Sequence, residues 1–393
     1  MKKVIVTTGG TGGHIFPALA VVEEIKQRFP DCDVLFMGGQ YGPEAKLAND
    51  ARLKFVGLPV RGVLGRGLRA IPAAFGMLYS IVRAMLVMRS FKPEIVIGFG
   101  GYAAFAGVTA ATLCFVPTAL HEQNSVPGLT NRILGKMVRK VFLSFGKSTD
   151  MYGDPKFSEK FMRNLAKHIK TPFAQSKIVF TGNPVRADIV ALGAQKPEYY
   201  KHIERQDSNE RHLFIMGGSL GAKGINDAIM EALPQLLAMQ KERGQSVAIV
   251  HQTGKADFER VSNAYARAGY DNAEVVVFID DMAACYAQAD LAVCRAGASS
   301  IAELTVAGVP SVLIPFPQAT HDHQLHNAAF LAAQGGAVLL EQKDISKVDF
   351  SAMLMDMLYD SERLESMSAS AKDFAHPQAA KNVVDAVLTV IKK

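Results

Sequence analysis

The sequence predicts an α/β protein built from two doubly wound parallel-sheet domains, on three observations. Short apolar runs alternate with segments of helical period from end to end, the pattern of βαβ units whose strands are buried on both faces. Two of these runs, IVTTGGTGGH (5–14) and LFIMGGSLGA (213–222), end in similar glycine turns that lead into a helix, and each starts a fresh series of units. Between the two series, Gly182-Asn183-Pro184 marks a joint, because Pro cannot continue a strand ladder.

Taken in order, strands are expected at Val4–Thr8, Val34–Met37, Glu94–Phe99, Thr118–His121, Val141–Ser144 and Ile178–Thr181. The second series places them at Leu213–Met216, Val247–His251, Val275–Ile279, Leu291–Cys294 and Ser311–Pro315. Helical period marks Ile15–Phe29, Gly224–Met239 and Ala298–Ala307. Ile95–His121 has no Asp, Glu, Lys or Arg, yet its glycines and Pro117 divide it into strand, glycine turn, buried helix and strand, which is not a membrane span. Residues 150–176 and 192–211 are polar and weakly periodic, as surface insertions are. Ala379–Ile391 is amphipathic, with Val383, Val384, Val387 and Ile391 at helical spacing.

Composition narrows the function classes. With 393 residues, 49% hydrophobic and 20% charged, the chain is neither disordered nor fibrous. Its four Cys show no CxxC spacing, against a disulfide framework or zinc ribbon. After Met1-Lys2-Lys3 only five residues precede Gly9-Gly10, too short for a secretory apolar region, so the chain reads as cytoplasmic. The net charge of +6 conceals an asymmetry: residues 1–184 carry 24 Lys/Arg against 11 Asp/Glu, while 185–393 carry 19 against 26. One half therefore suits an anionic partner. Ile71–Met88 is apolar on many sides and flanked by Arg61, Arg66, Arg69, Arg83, Arg89 and Lys92, which fits a helix lying in an anionic membrane interface. The competing reading is a core helix with snorkelling ends.

A strand that enters a helix through glycines can bring N–H groups close to a phosphate, aided by the helix dipole. Neither loop is a dinucleotide fingerprint: Gly10-Thr11-Gly12-Gly13-His14-Ile15 lacks the last Gly, and Met37-Gly38-Gly39 ends its strand without an acidic residue. No GxxxxGK[ST] occurs. His14, where the first loop becomes a helix, is either a base for a hydroxyl or a turn cap. His121-Glu122-Gln123-Asn124 follows a strand end, where polar groups bind a sugar or order a loop. Glu303 is placed to accept two ribose hydroxyls or to complement a helix dipole. His321-Asp322-His323-Gln324-Leu325-His326-Asn327 has two His on one face but no companion ligand set, so no metal site is assigned.

GGTGGH (9–14), GFGGY (98–102), HEQN (121–124), GLTN (128–131), GNPVR (182–186), GGSLGA (217–222), FIDDMA (278–283), CRAGASSIAE (294–303) and Gln324-xx-Asn327 stand in the order seen in the MurG family. The chain resembles those bacterial transferases, which move N-acetylglucosamine from UDP to a lipid-linked muramyl-pentapeptide, over nearly its whole length. The resemblance implies a GT-B fold, two Rossmann-like domains facing a cleft, with the C-terminal helix returning to the first: 1–183 plus 377–393, and 184–376. It implies inverting β-1,4 transfer from UDP-N-acetylglucosamine to the 4-hydroxyl of undecaprenyl-pyrophosphoryl muramyl-pentapeptide (lipid I), giving lipid II for the cell wall. The alternatives are a diacylglycerol glycosyltransferase and a non-catalytic nucleotide-sugar-binding scaffold.

By the same resemblance, His14 is the base and Glu122 stands with it as catalytic. Donor contacts fall on Thr11, Gly12, Gly13, Asn124, Arg186, Ser219, Ile279, the helix start Ala298, Ser299, Ser300, Ile301, Ala302 and Glu303, and on Gln324 and Asn327. The acceptor falls on Gly100, Gly101, Tyr102 and His121. His323 departs from the family, where many relatives have a second Gln. No cofactor is required, a divalent cation at the acceptor diphosphate stays open, and nucleic acid is not an expected partner. The expected location is the cytoplasmic face of the inner membrane, peripherally bound through Ile71–Met88 and its flanking Arg.

Overall fold

A computed structural model describes residues 1–62, 70–145, 173–201, 209–218 and 220–391. They form two compact units, and the chain leaves the first after Arg186 and re-enters it at His376.

The first unit is a parallel sheet in the order β3-β2-β1-β4-β5-β6-β7. Its strands are β1 (Lys3–Thr7), β2 (Asp33–Gly39), β3 (Lys54–Leu58), β4 (Ile95–Gly98), β5 (Thr118–Glu122), β6 (Lys140–Leu143) and β7 (Ile178–Phe180). The helices are α1 (Gly12–Arg28), α2 (Glu44–Asp50), α3 (Ala70–Phe91), α4 (Gly101–Leu113), α5 (Leu129–Met137) and the C-terminal Ala379–Ile391. Strand side chains alternate between two cores: Val4, Val6, Val34 and Phe36 pack on one face, Ile5, Leu35 and Met37 on the other. That two-sided burial explains why the strands read as unbroken apolar runs. The C-terminal helix buries Val383, Val384, Val387 and Val390 in the same core as α1, and Arg28 reaches Asp385 at 2.7 Å.

The second unit repeats the plan in the order β10-β9-β8-β11-β12-β13. The strands are β8 (Glu210–Met216), β9 (Ser246–Gln252), β10 (Ala273–Val276), β11 (Leu291–Cys294), β12 (Ser311–Leu313) and β13 (Ala337–Leu339). Its helices include α6 (Ala187–Lys201), α7 (Lys223–Arg243), α8 (Phe258–Ala268), α9 (Met282–Gln288), α10 (Ala298–Ala307), α11 (His323–Ala333), α12 (Phe350–Tyr359) and α13 (Ser361–Asp373). In both sheets strand order reverses beside the first strand of the unit, at β1/β4 and β8/β11, where a doubly wound sheet opens a crevice at its carboxyl ends.

The sequence reading missed β3 and β13. Both are outermost strands, and the short, partly exposed runs KFVGL and AVL lack the apolar signature of the central ones. It also carried β10 too far. The ladder ends where Val276 pairs with Gln252, and Phe278 is 49% exposed, so Ile279 lies in a loop. The polar segment 150–176 lies outside the described residues up to 172, as do 202–208 of the second expected insertion, while Ala187–Lys201 is helix.

Candidate functional site

In the first unit three loops meet above the sheet's carboxyl edge. The β1–α1 loop and the β4–α4 loop lie back to back: Gly9 N–H donates to the Gly100 carbonyl at 3.1 Å. Gly101 has φ +80°, and a Cβ there would strike the Gly9 carbonyl, so only glycine allows the approach. His14 sits in the first turn of α1, half-buried, with Thr11 as exposed N-cap residue and Gly12 and Gly13 opening the helix. Its Nδ1 lies 2.9 Å from Gln123 Oε1. Tyr102, second residue of α4, is 41% exposed.

The third loop follows β5. His121 is fully buried, stacked on Phe99, with Nε2 3.1 Å from the Gly182 carbonyl. Burial lowers its pKa to about 4, so it is neutral. Glu122 is also buried, and its two oxygens accept from Asn124 N–H at 2.9 Å, Gly128 N–H at 3.2 Å and Asn131 Nδ2 at 2.8 Å. Burial raises its pKa to about 7 against those bonds. Glu122 therefore ties down the loop that carries Asn124 and starts α5, while the His121 ring links the Gly182 carbonyl to the Gln123 side chain.

Glu44 was not singled out in the sequence, which shows no acidic residue at the end of β2. It stands five residues beyond β2, at the start of α2, buried, and Oε1 accepts Gly10 N–H at 3.0 Å. A carboxylate thus holds one amide of the first glycine loop. Arg186 places its guanidinium 5.1 Å over the Phe16 ring of α1.

In the second unit the β8–α7 loop has φ +81° at Gly218 and +78° at Gly221, where a Cβ would meet the Thr253 carbonyl. Gln252, at the end of β9, clasps this loop. Its Oε1 accepts Gly217 N–H at 3.2 Å, and its Nε2 donates to the carbonyls of Gly218 at 3.0 Å and Val277 at 3.2 Å. Ser219 lies outside the described residues.

Glu303 lies in the second turn of α10, so it does not serve as a first-turn dipole partner. It is 8% exposed, and Oε2 accepts the Tyr286 hydroxyl at 3.1 Å. Ala298 and Ile301 are buried in the same helix, while Ser299, Ser300 and Ala302 are half-buried. Arg295, ahead of α10, donates to the carbonyls of Ile314 at 3.2 Å and Pro315 at 3.1 Å, a structural use of its charge. On α11, Gln324 Oε1 accepts Phe316 N–H at 2.9 Å and buried Asn327 donates to the Ala296 carbonyl at 3.3 Å, fixing the turns after β12 and β11. His323 Nδ1 lies 2.8 Å from the Thr320 carbonyl at the helix start. Loop turns at Gln252 and Tyr286 were illegible in sequence, since a lone Gln at a strand end and a Tyr in a short helix carry no spacing signal.

Helix α3 divides by face. Ile71, Phe75, Leu78, Tyr79, Val82 and Leu86 are 49–69% exposed along one stripe, while Met77, Ile81, Ala84, Met85 and Met88 pack on the core. By length and composition Ile71–Phe91 could cross a membrane, and only 22% of its apolar window is buried. Phe115, after α4, adds a 93% exposed ring at φ +59°. Of the flanking cations, Arg61 stacks 4.4 Å over Tyr41, and Arg66 and Arg69 lie outside the described residues.

Residues 4–143 match the glycosyltransferase family 28 N-terminal domain and 212–383 its C-terminal domain. A relative from Nitratidesulfovibrio vulgaris (strain Hildenborough), the UDP-N-acetylglucosamine–N-acetylmuramyl-(pentapeptide) pyrophosphoryl-undecaprenol N-acetylglucosamine transferase, is 55% identical over 392 residues, 100% of this chain and 98% of its own. The crystal structure of Acinetobacter baumannii MurG aligns with TM-score 0.71 and 32% identity, covering 99% of this chain and all of that one. The calicheamicin glycosyltransferase CalG4 shares the fold at TM-score 0.64, with 14% identity over the full length of both chains. The paired α/β units and the full-length identity together decide the assignment: this chain is a glycosyltransferase of family 28, with the GT-B pair of Rossmann-like domains.

Proposed function

We propose that the chain transfers N-acetylglucosamine from UDP-N-acetylglucosamine to the muramyl 4-hydroxyl of lipid I, with inversion at the anomeric carbon. One observation carries the reading: in a chain 55% identical end to end to a transferase named for this reaction, a histidine stands where a glycine loop becomes a helix, held by a buried side chain. The acceptor oxygen attacks the anomeric carbon as the bond to the UDP oxygen breaks. The hydroxyl proton passes to His14, and the electron pair leaves with UDP. Charge on the leaving diphosphate is stabilised by N–H groups at the glycine turns, with Ser219, and by Arg186. Glu303 accepts the ribose hydroxyls, the backbone at Ile279 reads the uracil, and Gln324, Asn327 and Asn124 serve the sugar. Ala298–Ala302 supply the helix start, Thr11–Gly13 the first loop, and Gly100, Gly101 and Tyr102 the acceptor side, which His121 supports from beneath, buried against Phe99. Glu122 acts by shaping its loop.

In the same reading no cofactor is required of the protein, and the acceptor diphosphate is the place a divalent cation would take. The exposed stripe of α3, with Phe115 and the basic residues around it, rests on the anionic cytoplasmic leaflet, where the acceptor's headgroup lies.

The test is transfer of labelled N-acetylglucosamine to a lipid I analogue in detergent, with a diacylglycerol acceptor in competition. His14→Ala is expected to lower kcat by about 10²- to 10⁴-fold with donor affinity retained. Unchanged turnover removes His14 as base. No transfer beside an active control enzyme overturns the function, and preference for diacylglycerol reassigns the acceptor.

A further inference from the structure

His14 does not stand alone. Gln123 is 1% exposed, and its side chain lies within reach of four polar groups: His14 Nδ1, the Phe99 carbonyl, His121 Nδ1 and, at 3.4 Å, the His121 carbonyl. Its Nε2 is 3.0 Å from the Phe99 carbonyl, an atom that can only accept, so the amide NH2 faces Phe99 and the amide oxygen faces His14. That oxygen, 2.9 Å from Nδ1, can only accept in turn, so Nδ1 carries the ring proton. A neutral His14 then has its lone pair on Nε2.

The orientation is secured from the far side. His121 Nε2 is 3.1 Å from the Gly182 carbonyl and must donate to it, which leaves its Nδ1 to accept from Gln123 Nε2 at 3.2 Å. The chain runs from Gly182 through His121 and Gln123 to His14, anchored on two backbone carbonyls that cannot reverse their roles.

We propose that Gln123 is the positioning residue of the base: its side-chain oxygen holds the proton on His14 Nδ1, and so presents the Nε2 lone pair for the acceptor's hydroxyl proton. This rests on the reading of His14 as base. The titratable groups nearby do not substitute for Gln123. Neutral His121 reaches His14 only through the amide, Glu122 turns to Asn124, Gly128 and Asn131, and the carboxylate of Glu44 is on Gly10 N–H. A neutral amide also places no charge beside the ring, whereas a carboxylate there would favour imidazolium, a poor base.

The experiment pairs nitrogen-15 NMR of labelled histidine, with the His14 signal assigned by its loss in His14→Ala, with transfer kinetics on the full chain. Wild type should show Nδ1 protonated in the neutral ring. In Gln123→Met, close in shape but without the acceptor, the ring should shift toward the other tautomer while kcat falls about tenfold or more and donor KM stays within about twofold. Either change without the other overturns the proposal, because a merely structural Gln123 would lower activity without moving the proton. Gln123→Glu keeps an acceptor at Nδ1, so the tautomer should persist while the acid limb of kcat/KM moves to higher pH. If Gln123→Met does not fold, loss of the Nδ1-protonated tautomer in Gln123→Glu, which keeps an acceptor there, is enough to reject the proposal. Turnover surviving in His14→Ala rejects the base reading and leaves the tautomer result standing; its loss there, with Gln123→Met unaltered, rejects the positioning role alone.

Discussion

The two glycine loops are alike in plan and opposite in electrostatics. Each follows the first strand of its unit, turns through left-handed glycines and has one N–H held by a side chain from a neighbouring element. At the β1–α1 loop the holder is the carboxylate of Glu44 on Gly10; at the β8–α7 loop it is the amide of Gln252 on Gly217. A buried negative charge beside an amide competes with an anionic ligand, while a neutral amide leaves the loop's positive potential intact. Similar strand–glycine–helix sequences can thus serve different tasks, and the second loop is the better match to a diphosphate.

The largest effect expected on this comparison comes from one glycine at each loop's close contact: Gly101, on the β4–α4 turn packed against the first loop, and Gly221, within the second. Gly101→Ala and Gly221→Ala each drive a Cβ into a backbone carbonyl from a left-handed φ. Each should destabilise its own unit by about 2 kcal/mol or more, read as a fall in the denaturation midpoint of that unit. If either variant melts as wild type, that loop is not rigid and the parallel between them breaks.

Next in size, Gln252→Glu imports the first loop's charge into the second. UDP affinity should fall about tenfold or more while uridine, lacking the diphosphate, is affected much less. Equal losses for both ligands would mean that Gln252 acts through loop shape and not charge.

The effect that is smallest at neutral pH, and grows only in acid, is on stability against pH. Burial lowers His121 from the ordinary 6.5 to about 4 and His251, buried in the second unit, to about 3. Between the lowered value and 6.5 the unfolded chain binds the proton and the folded chain does not, so unfolding becomes easier as pH falls. The contribution is full above about 6.5 and is lost as pH drops through about 4 in the first unit and about 3 in the second. Replacing His251 by Gln should flatten the acid slope of the second unit's melting and leave the first unit's unaltered. An unchanged slope would mean that other groups set it.

What could be read in advance followed from local chemistry. The central strands were legible because both their faces are buried, and the partition of Ile95–His121 into β4, α4 and β5 followed from glycines and a proline. The edge strands β3 and β13 were not, because their short, partly exposed runs give a weak signal. Among candidate site residues, His14 and Glu303 stood out through their places after glycine turns. Glu44, Gln252 and Tyr286 did not, since they reach their partners across 34, 35 and 17 residues. Nothing near them in the chain records such contacts.

The sequence by itself determined two α/β units, their glycine turns, the charge asymmetry and the family. Periodicity, turn chemistry and motif order are properties of neighbouring residues. Only the tertiary structure decided which face of α3 is bare, that Glu122 is spent on its own loop, and which ring nitrogen of His14 carries the proton. Those depend on burial and on hydrogen-bond partners brought together by strand order, and strand order is set by packing across the whole sheet.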